Sequence, residues 1–91
     1  MPFKLRYHED VKTRDLPKID GKIKNIIKKA IEERLATHPE AYGKPLQKTL
    51  RGYWKLRVGD YRVIFKISGD SVLILGIIHR RDVYNLIEKR K

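Results

Sequence analysis

The sequence predicts an α+β domain in two layers. It has an N-terminal strand, two helices packed on a mainly antiparallel sheet in the order β-α-α-β-β-β, and a short C-terminal helix. Three observations carry this. Ile23, Ile26, Ile27, Ala30, Ile31 and Leu35 recur at helical spacing. Residues 54–65, WKLRVGDYRVIF, alternate apolar and polar side chains around a Gly-Asp pair. A further apolar run, Val72 to Ile78, follows the turn formers Ser68-Gly69-Asp70-Ser71. The 91 residues are read as one domain, 1–91, long enough to bury roughly 60–65% of the surface of the unfolded chain.

Taken in order, Phe3, Leu5 and Tyr7 alternate with Lys4 and Arg6 and mark the first strand. Glu9 to Leu16 form a short helical stretch stopped by Pro17. Asp20 is placed to cap the long helix, which ends near Thr37 because Pro39 follows. Residues 39–52 are rich in turn formers and are expected to be a loop. Gly59 at the first central position of a two-residue connection fits a type II′ hairpin turn between Tyr53–Val58 and Tyr61–Ile67. The second turn leads into a strand from Val72 to about His79. Asp82 then precedes a helix in which Val83, Leu86 and Ile87 share a face.

The first turn fixes a register: Val58 opposite Tyr61, Arg57 opposite Arg62, Leu56 opposite Val63, Lys55 opposite Ile64, Trp54 opposite Phe65. Directly opposed residues share a side of the sheet. One face is therefore apolar and must cover the long helix. The other holds Tyr53, Lys55, Arg57, Arg62, Ile64 and Lys66. Continued through the second turn, the pairing sets Ile67 against Val72, Phe65 against Ile74 and Arg62 against Ile77. It puts Leu73, Leu75, Ile77 and His79 on the cationic face, where the C-terminal helix could cover the apolar ones.

Lys plus Arg number 22 against 11 Asp plus Glu, a formal net charge of +11 with a pI near 10.1. Such an excess raises the energy of the compact state by self-repulsion, and a polyanionic partner is the usual reason to carry it. Arg57 facing Arg62 sharpens the point, because like charges directly across a sheet are destabilising. A bound phosphate, which guanidinium groups grip bidentately, would relieve them. The chain has no cysteine, which excludes a disulfide scaffold, a thiolate metal site and a cysteine nucleophile. Its apolar runs are too short to span a bilayer, and MPFKLRYHED has no signal-like region. The expectation is a cytoplasmic protein with no membrane partner.

The run Leu50-Arg51-Gly52-Tyr53-Trp54-Lys55-Leu56-Arg57-Val58-Gly59-Asp60-Tyr61-Arg62-Val63-Ile64-Phe65, followed by Ile78-His79-Arg80-Arg81-Asp82-Val83-Tyr84, resembles the RelE/ParE superfamily of toxins from prokaryotic toxin–antitoxin pairs. The order of elements is similar as well, so the likeness spans the chain. The RelE branch implies a ribosome-dependent mRNA endoribonuclease that needs no metal or other cofactor. The ribose 2′-oxygen attacks the adjacent phosphate, leaving a 2′,3′-cyclic phosphate and a 5′-hydroxyl end. The resemblance implies catalytic roles for Lys55, Arg62, His79 and Tyr84. Arg62 would hold the scissile phosphate, Tyr84 would stack on a base, and the general base would be Lys55 or His79. Arg57, Arg80, Arg81 and Lys66 would bind RNA. The sequence departs from the best-known RelE pattern at Tyr53, where a second lysine is usual, and this leaves the base open. The implied partners are messenger RNA on the ribosome and a cognate acidic antitoxin, with no small-molecule ligand. The strand pairing gives an apolar strip, Ile64, Leu73, Leu75 and Ile77, covered either by the last helix of the chain or by a partner helix; an antitoxin segment would dock on or beside it, displacing the Val83–Ile87 helix or blocking the basic cluster. The rivals are a gyrase-poisoning toxin of the ParE kind and a member that only binds its antitoxin.

Overall fold

In the computed structural model, which describes residues 2–90, the alternating residues Lys4–Tyr7 form β1. The chain then enters a wide π-helical turn, Val11–Asp15, followed by a tight 3₁₀ turn, Leu16–Lys18, that includes Pro17 rather than stopping before it. His8 Nδ1 accepts from the Asp10 N–H at 3.0 Å and closes the start of this segment. Helix α1 (Gly21–Ala30) begins where expected. The Asp20 carboxylate accepts from the Lys22 N–H at 3.1 Å, taking up one of the donors that a helix start leaves free. The helix widens into a π-helical turn over Ile31–Leu35. Its inner face is Ile27, Ala30, Ile31 and Leu35. Ile23 and Ile26, expected on that face, are instead 39% and 54% exposed. Both fall on the first two turns of the helix.

Residues 39–52 are not a plain loop. They contain a one-turn helix α2 (Pro39–Tyr42), a two-residue strand β2 (Lys44–Pro45) and a 3₁₀ turn Lys48–Leu50. Then come β3 (Trp54–Val58), β4 (Tyr61–Ser68), β5 (Ser71–His79) and helix α3 (Val83–Arg90). The five strands make one sheet in the order β1-β5-β4-β3-β2; β1 is parallel to β5 and the other pairs are antiparallel. Gly59 and Gly69 sit at φ of +59° and +58°. Lys48 is the only non-glycine with positive φ among the described residues, so Asp60 and Asp70 keep negative φ, the type II′ pattern.

The β3–β4 register matches the expected one at each of its five pairs, Arg57 opposite Arg62 included. The β4–β5 register agrees at Ile67↔Val72 and Phe65↔Ile74, then slips at a bulge between Ile64 and Phe65. Leu75 is the extra residue, because Ile64 pairs with Gly76. Beyond the bulge Ile78, not Ile77, stands opposite Arg62, and Ile77 pairs with Val63. One inserted residue reverses the faces of all that follows.

Two apolar layers result. Ile27, Ile31, Leu35, Val63, Phe65, Ile74 and Ile77 pack between α1 and the sheet, with the Trp54 ring stacked 6.3 Å from that of Phe65. On the other face Ile64, Leu75, Ile78, Leu46 and Leu50 lie under Val83 and Ile87 of α3. The expected covering of the cationic face by the last helix is thus observed, and the Thr49 hydroxyl donates to Glu88 to tie the 46–50 segment to that helix.

Candidate phosphate-binding site on the sheet

Arg57 and Arg62 are directly opposed across the first hairpin. Arg62 Nη1 donates to the carbonyls of Gly59 and Tyr61, both at 3.0 Å, which folds the side chain back over the turn. The Arg80 N–H donates to the Asp60 carbonyl at 2.9 Å, so the end of β5 is tied to the same turn. Burial holds the Arg62 guanidinium below the usual arginine range. The positive charges of Arg57 and Arg80 push the same way, and Asp60 opposes them. Asp60 is thus a nearby carboxylate that exerts a field on Arg62. It makes no ion pair, for among the described residues the salt bridges within 4.0 Å link only Arg14, Lys29 and Arg90 to acidic partners. A cation whose charge is disfavoured by its surroundings gains most from an incoming anion. Three arginines meeting at one turn can grip a phosphate from several directions.

Lys55 lies on the same face, half-buried, opposite Ile64 on β4 and opposite Lys44 on β2. Lys44 escaped the sequence reading because a two-residue strand has too few residues to show a period. Lys66 is on this face too, but four residues along β4 from Arg62 with the covered Ile64 between them; its ammonium sits 5.9 Å above the Tyr53 ring. The cationic face is therefore divided by α3, with Arg57, Arg62 and Arg80 on one side and Lys66 on the other. Arg81 is exposed in the link to α3. Tyr84 is 54% exposed on the outer side of α3, so the packing of that helix onto the sheet is carried by Val83 and Ile87 instead.

Two expectations need correction. His79 does not share a face with Arg62. The bulge sets it opposite Tyr61, whose ring it meets edge-on at 5.7 Å, and its Nδ1 accepts from the Arg81 N–H at 3.3 Å. The strip Ile64, Leu73, Leu75, Ile77 does not exist as one open surface either. Ile64 and Leu75 are 0% and 3% exposed under α3, Ile77 is turned into the main core by the bulge, and Leu73 alone is half-buried on the cationic face. Among the described residues no three His, Asp or Glu side chains gather as a metal site, and no helix is long and apolar enough to cross a membrane.

Sequence reasoning also missed Asp15 and Arg90. Asp15 is the buried charged residue of the described chain, and its carboxylate takes Arg90 bidentately at 2.7 Å on both oxygens. The wide turn at Val11–Asp15 brings Val11 and Asp15 to the same inward face. No local pattern announces that the partner is the last residue of α3.

This arrangement has close relatives. The family model of the ParE toxin of the type II toxin–antitoxin system parDE matches residues 5–84. Toxin RelG of Mycobacterium tuberculosis is 33% identical over 86 residues, covering 92% of this chain and 98% of that protein. Toxin RelE3 of Methanocaldococcus jannaschii is 31% identical over 75 residues, covering 79% of this chain and 85% of that protein. Among solved structures, a chain of the M. tuberculosis toxin–antitoxin complex RelBE2 superposes with a TM-score of 0.77 at 30% identity, covering 88% of this chain and all (100%) of that one. A free mutant form of E. coli toxin RelE shares the fold, with a TM-score of 0.76 at 19% identity over 99% of this chain. The match takes in the hairpin that joins Arg57 to Arg62 and the strand end that brings Arg80 to them, and on it the chain belongs to the RelE/ParE superfamily, as a toxin of a type II toxin–antitoxin system.

Proposed function

We propose that this toxin is a ribosome-dependent mRNA endoribonuclease. The observation that carries the reading is the Arg57–Arg62–Arg80 cluster: three cations meet at one turn, none is in an ion pair among the described residues, and burial with the two cationic neighbours lowers the pKa of Arg62. In the reaction, the 2′-oxygen attacks the adjacent phosphorus as its proton leaves to a base. Negative charge grows on the non-bridging oxygens, and the P–O5′ bond breaks as the leaving oxygen takes up a proton. Preorganised guanidinium groups are suited to that charge. Lys55, on the face of Arg62, is assigned as the base. His79 is set on the opposite face and engaged by Tyr61 and the Arg81 N–H. Tyr84, exposed on α3, offers a ring for stacking on a base of the message.

The assignment predicts an order of effects. Lys55→Met is expected to lower single-turnover cleavage about 100-fold or more, the scale of losing a positioned base, while His79→Asn keeps most of the rate. The reverse order would move the base to His79. Binding is expected to weaken linearly in log K against log salt, because each phosphate contact releases counterions; a flat dependence would remove the polyanion from the account of the +11 charge.

The partner in the cell is a cognate antitoxin, in keeping with the relative solved in the RelBE2 toxin–antitoxin complex. An acidic antitoxin is matched to this charge and would silence the toxin by covering the arginine cluster. The deciding experiment is expression in a translating lysate, with new 5′-hydroxyl RNA ends mapped on ribosome-bound message. Intact messages together with trapped gyrase–DNA complexes would overturn the nuclease in favour of the gyrase-directed activity.

A further inference from the structure

Strand β1 ends at Tyr7 opposite Ile74, and the His8 N–H closes that ladder on the Ile74 carbonyl at 2.8 Å. From there β5 runs on to His79 with no strand of the described residues beside it on that edge. Side chains take the place of a strand. Asp15 Oδ2 accepts from the Ile77 N–H at 2.9 Å, and Arg90 Nη1 donates to the Leu75 carbonyl at 3.2 Å. The two side chains are joined to each other by the bidentate pair, 7% and 5% exposed, and Arg90 Nε also faces Asp10 at 3.4 Å. Gly76 lies between the two bonded residues. A Cβ there would come within 3.0 Å of the Arg90 guanidinium and within 2.7 and 2.9 Å of the Ile78 and Ile87 methyls. The chain is bare at the point where the arginine crosses it.

These bonds hold the bulge residue itself and the residue two beyond it. Leu75 is the inserted residue, and Ile77 is where the shifted pairing resumes on the core face. The shift decides that Ile78 faces Arg62, and it delivers Arg80 to the Asp60 carbonyl. The strand around it, Val72–Ile78, is apolar except for Gly76, so its own pattern gives either register a buried surface on both faces. A buried ion pair is a weak source of net stability, since well-packed apolar side chains of similar size often do as well or better. In some proteins such a pair instead fixes which of two arrangements forms, because only one of them satisfies it.

We propose that Asp15 and Arg90 are positioning residues: their ion pair latches the bulged register of β5 and thereby sets Arg80 beside the Arg57–Arg62 pair. The functional half of this rests on the RNA-cleavage reading above.

The test is the double variant Asp15→Leu/Arg90→Met, which replaces the pair by apolar side chains and keeps the core filled. Two measurements are made: cross-strand NMR contacts of Arg62 on the purified chain, and steady-state cleavage of ribosome-bound message with kcat and KM determined. The expected result is a folded protein in which Arg62 no longer has Ile78 as its single partner, with kcat down about 100-fold, as for a misplaced catalytic group, and KM changed far less. A folded variant that keeps the Ile78–Arg62 pairing overturns the latch, whatever its rate. So does one that loses the pairing and cleaves at the wild-type rate. Should the double variant not fold, Arg90→Lys, which keeps the charge but loses the planar fork, is read by the same two measurements. A wild-type chain that cuts no RNA would end the nuclease reading, and the latch would then stand or fall on the cross-strand pairing alone.

Discussion

Arg62→Ala is expected to lower RNA cleavage about 100-fold or more, the scale for losing one preorganised donor to a transition-state oxyanion, while the melting temperature moves by only a few degrees. Two terms set the stability change and they oppose each other. Removing the charge relieves the like-charge contact with Arg57, worth up to about 1 kcal/mol. It also removes the donor to the Gly59 and Tyr61 carbonyls, each bond worth about 1 kcal/mol or less at a partly exposed site. The sequence alone, which sees only the repulsion, predicts a melting temperature unchanged or slightly raised; the turn contacts work against the rise. Arg57→Ala has no such offset. Arg57 is exposed, so its loss is expected to raise the melting temperature slightly and to cost less in rate, with Arg62 and Arg80 still in place. Thermal unfolding and toxicity on induction check both. A fully toxic Arg62→Ala strain producing folded protein would remove the phosphate role from Arg62.

Asp15→Ala is expected to be the most damaging single substitution to the fold. It leaves the Arg90 guanidinium, 7% exposed, with Asp10 at 3.4 Å as its remaining acidic partner among the described residues, and strips the Ile77 N–H of its acceptor. Breaking a buried pair by removing one partner costs about 3–5 kcal/mol. That is a large share of the roughly 5–15 kcal/mol by which a domain of this kind is stable. For a chain of 91 residues the melting temperature should drop by upwards of about 12 °C. Arg90→Met strands the Asp15 carboxylate and should be similarly severe, whereas the double replacement should recover most of the loss. Urea unfolding of the three variants measures this directly. A single variant as stable as the parent would mean that water reaches the pair and that it holds nothing in place.

The sequence by itself determined the elements whose signals are local and periodic. The 3.6-residue recurrence from Ile23 to Leu35 needed a helix, and Asp20 was the one side chain placed to start it. The alternation in WKLRVGDYRVIF, with a glycine where only positive φ closes a two-residue turn, fixed Arg57 against Arg62 before any coordinate. The tertiary structure decided what lay beyond the second hairpin. From Val72 to Ile78 every residue except Gly76 is apolar, because both faces of β5 are covered, and a pattern without polar positions carries no register. The bulge at Leu75 was therefore invisible, and with it the faces of Ile77, Ile78 and His79. Lys44 met Lys55 through a strand of two residues, too short for any period. Asp15 met Arg90 across 75 positions of sequence. A contact at that separation leaves no mark on the chain near either residue, and only the packing of α3 over the sheet brings the two together.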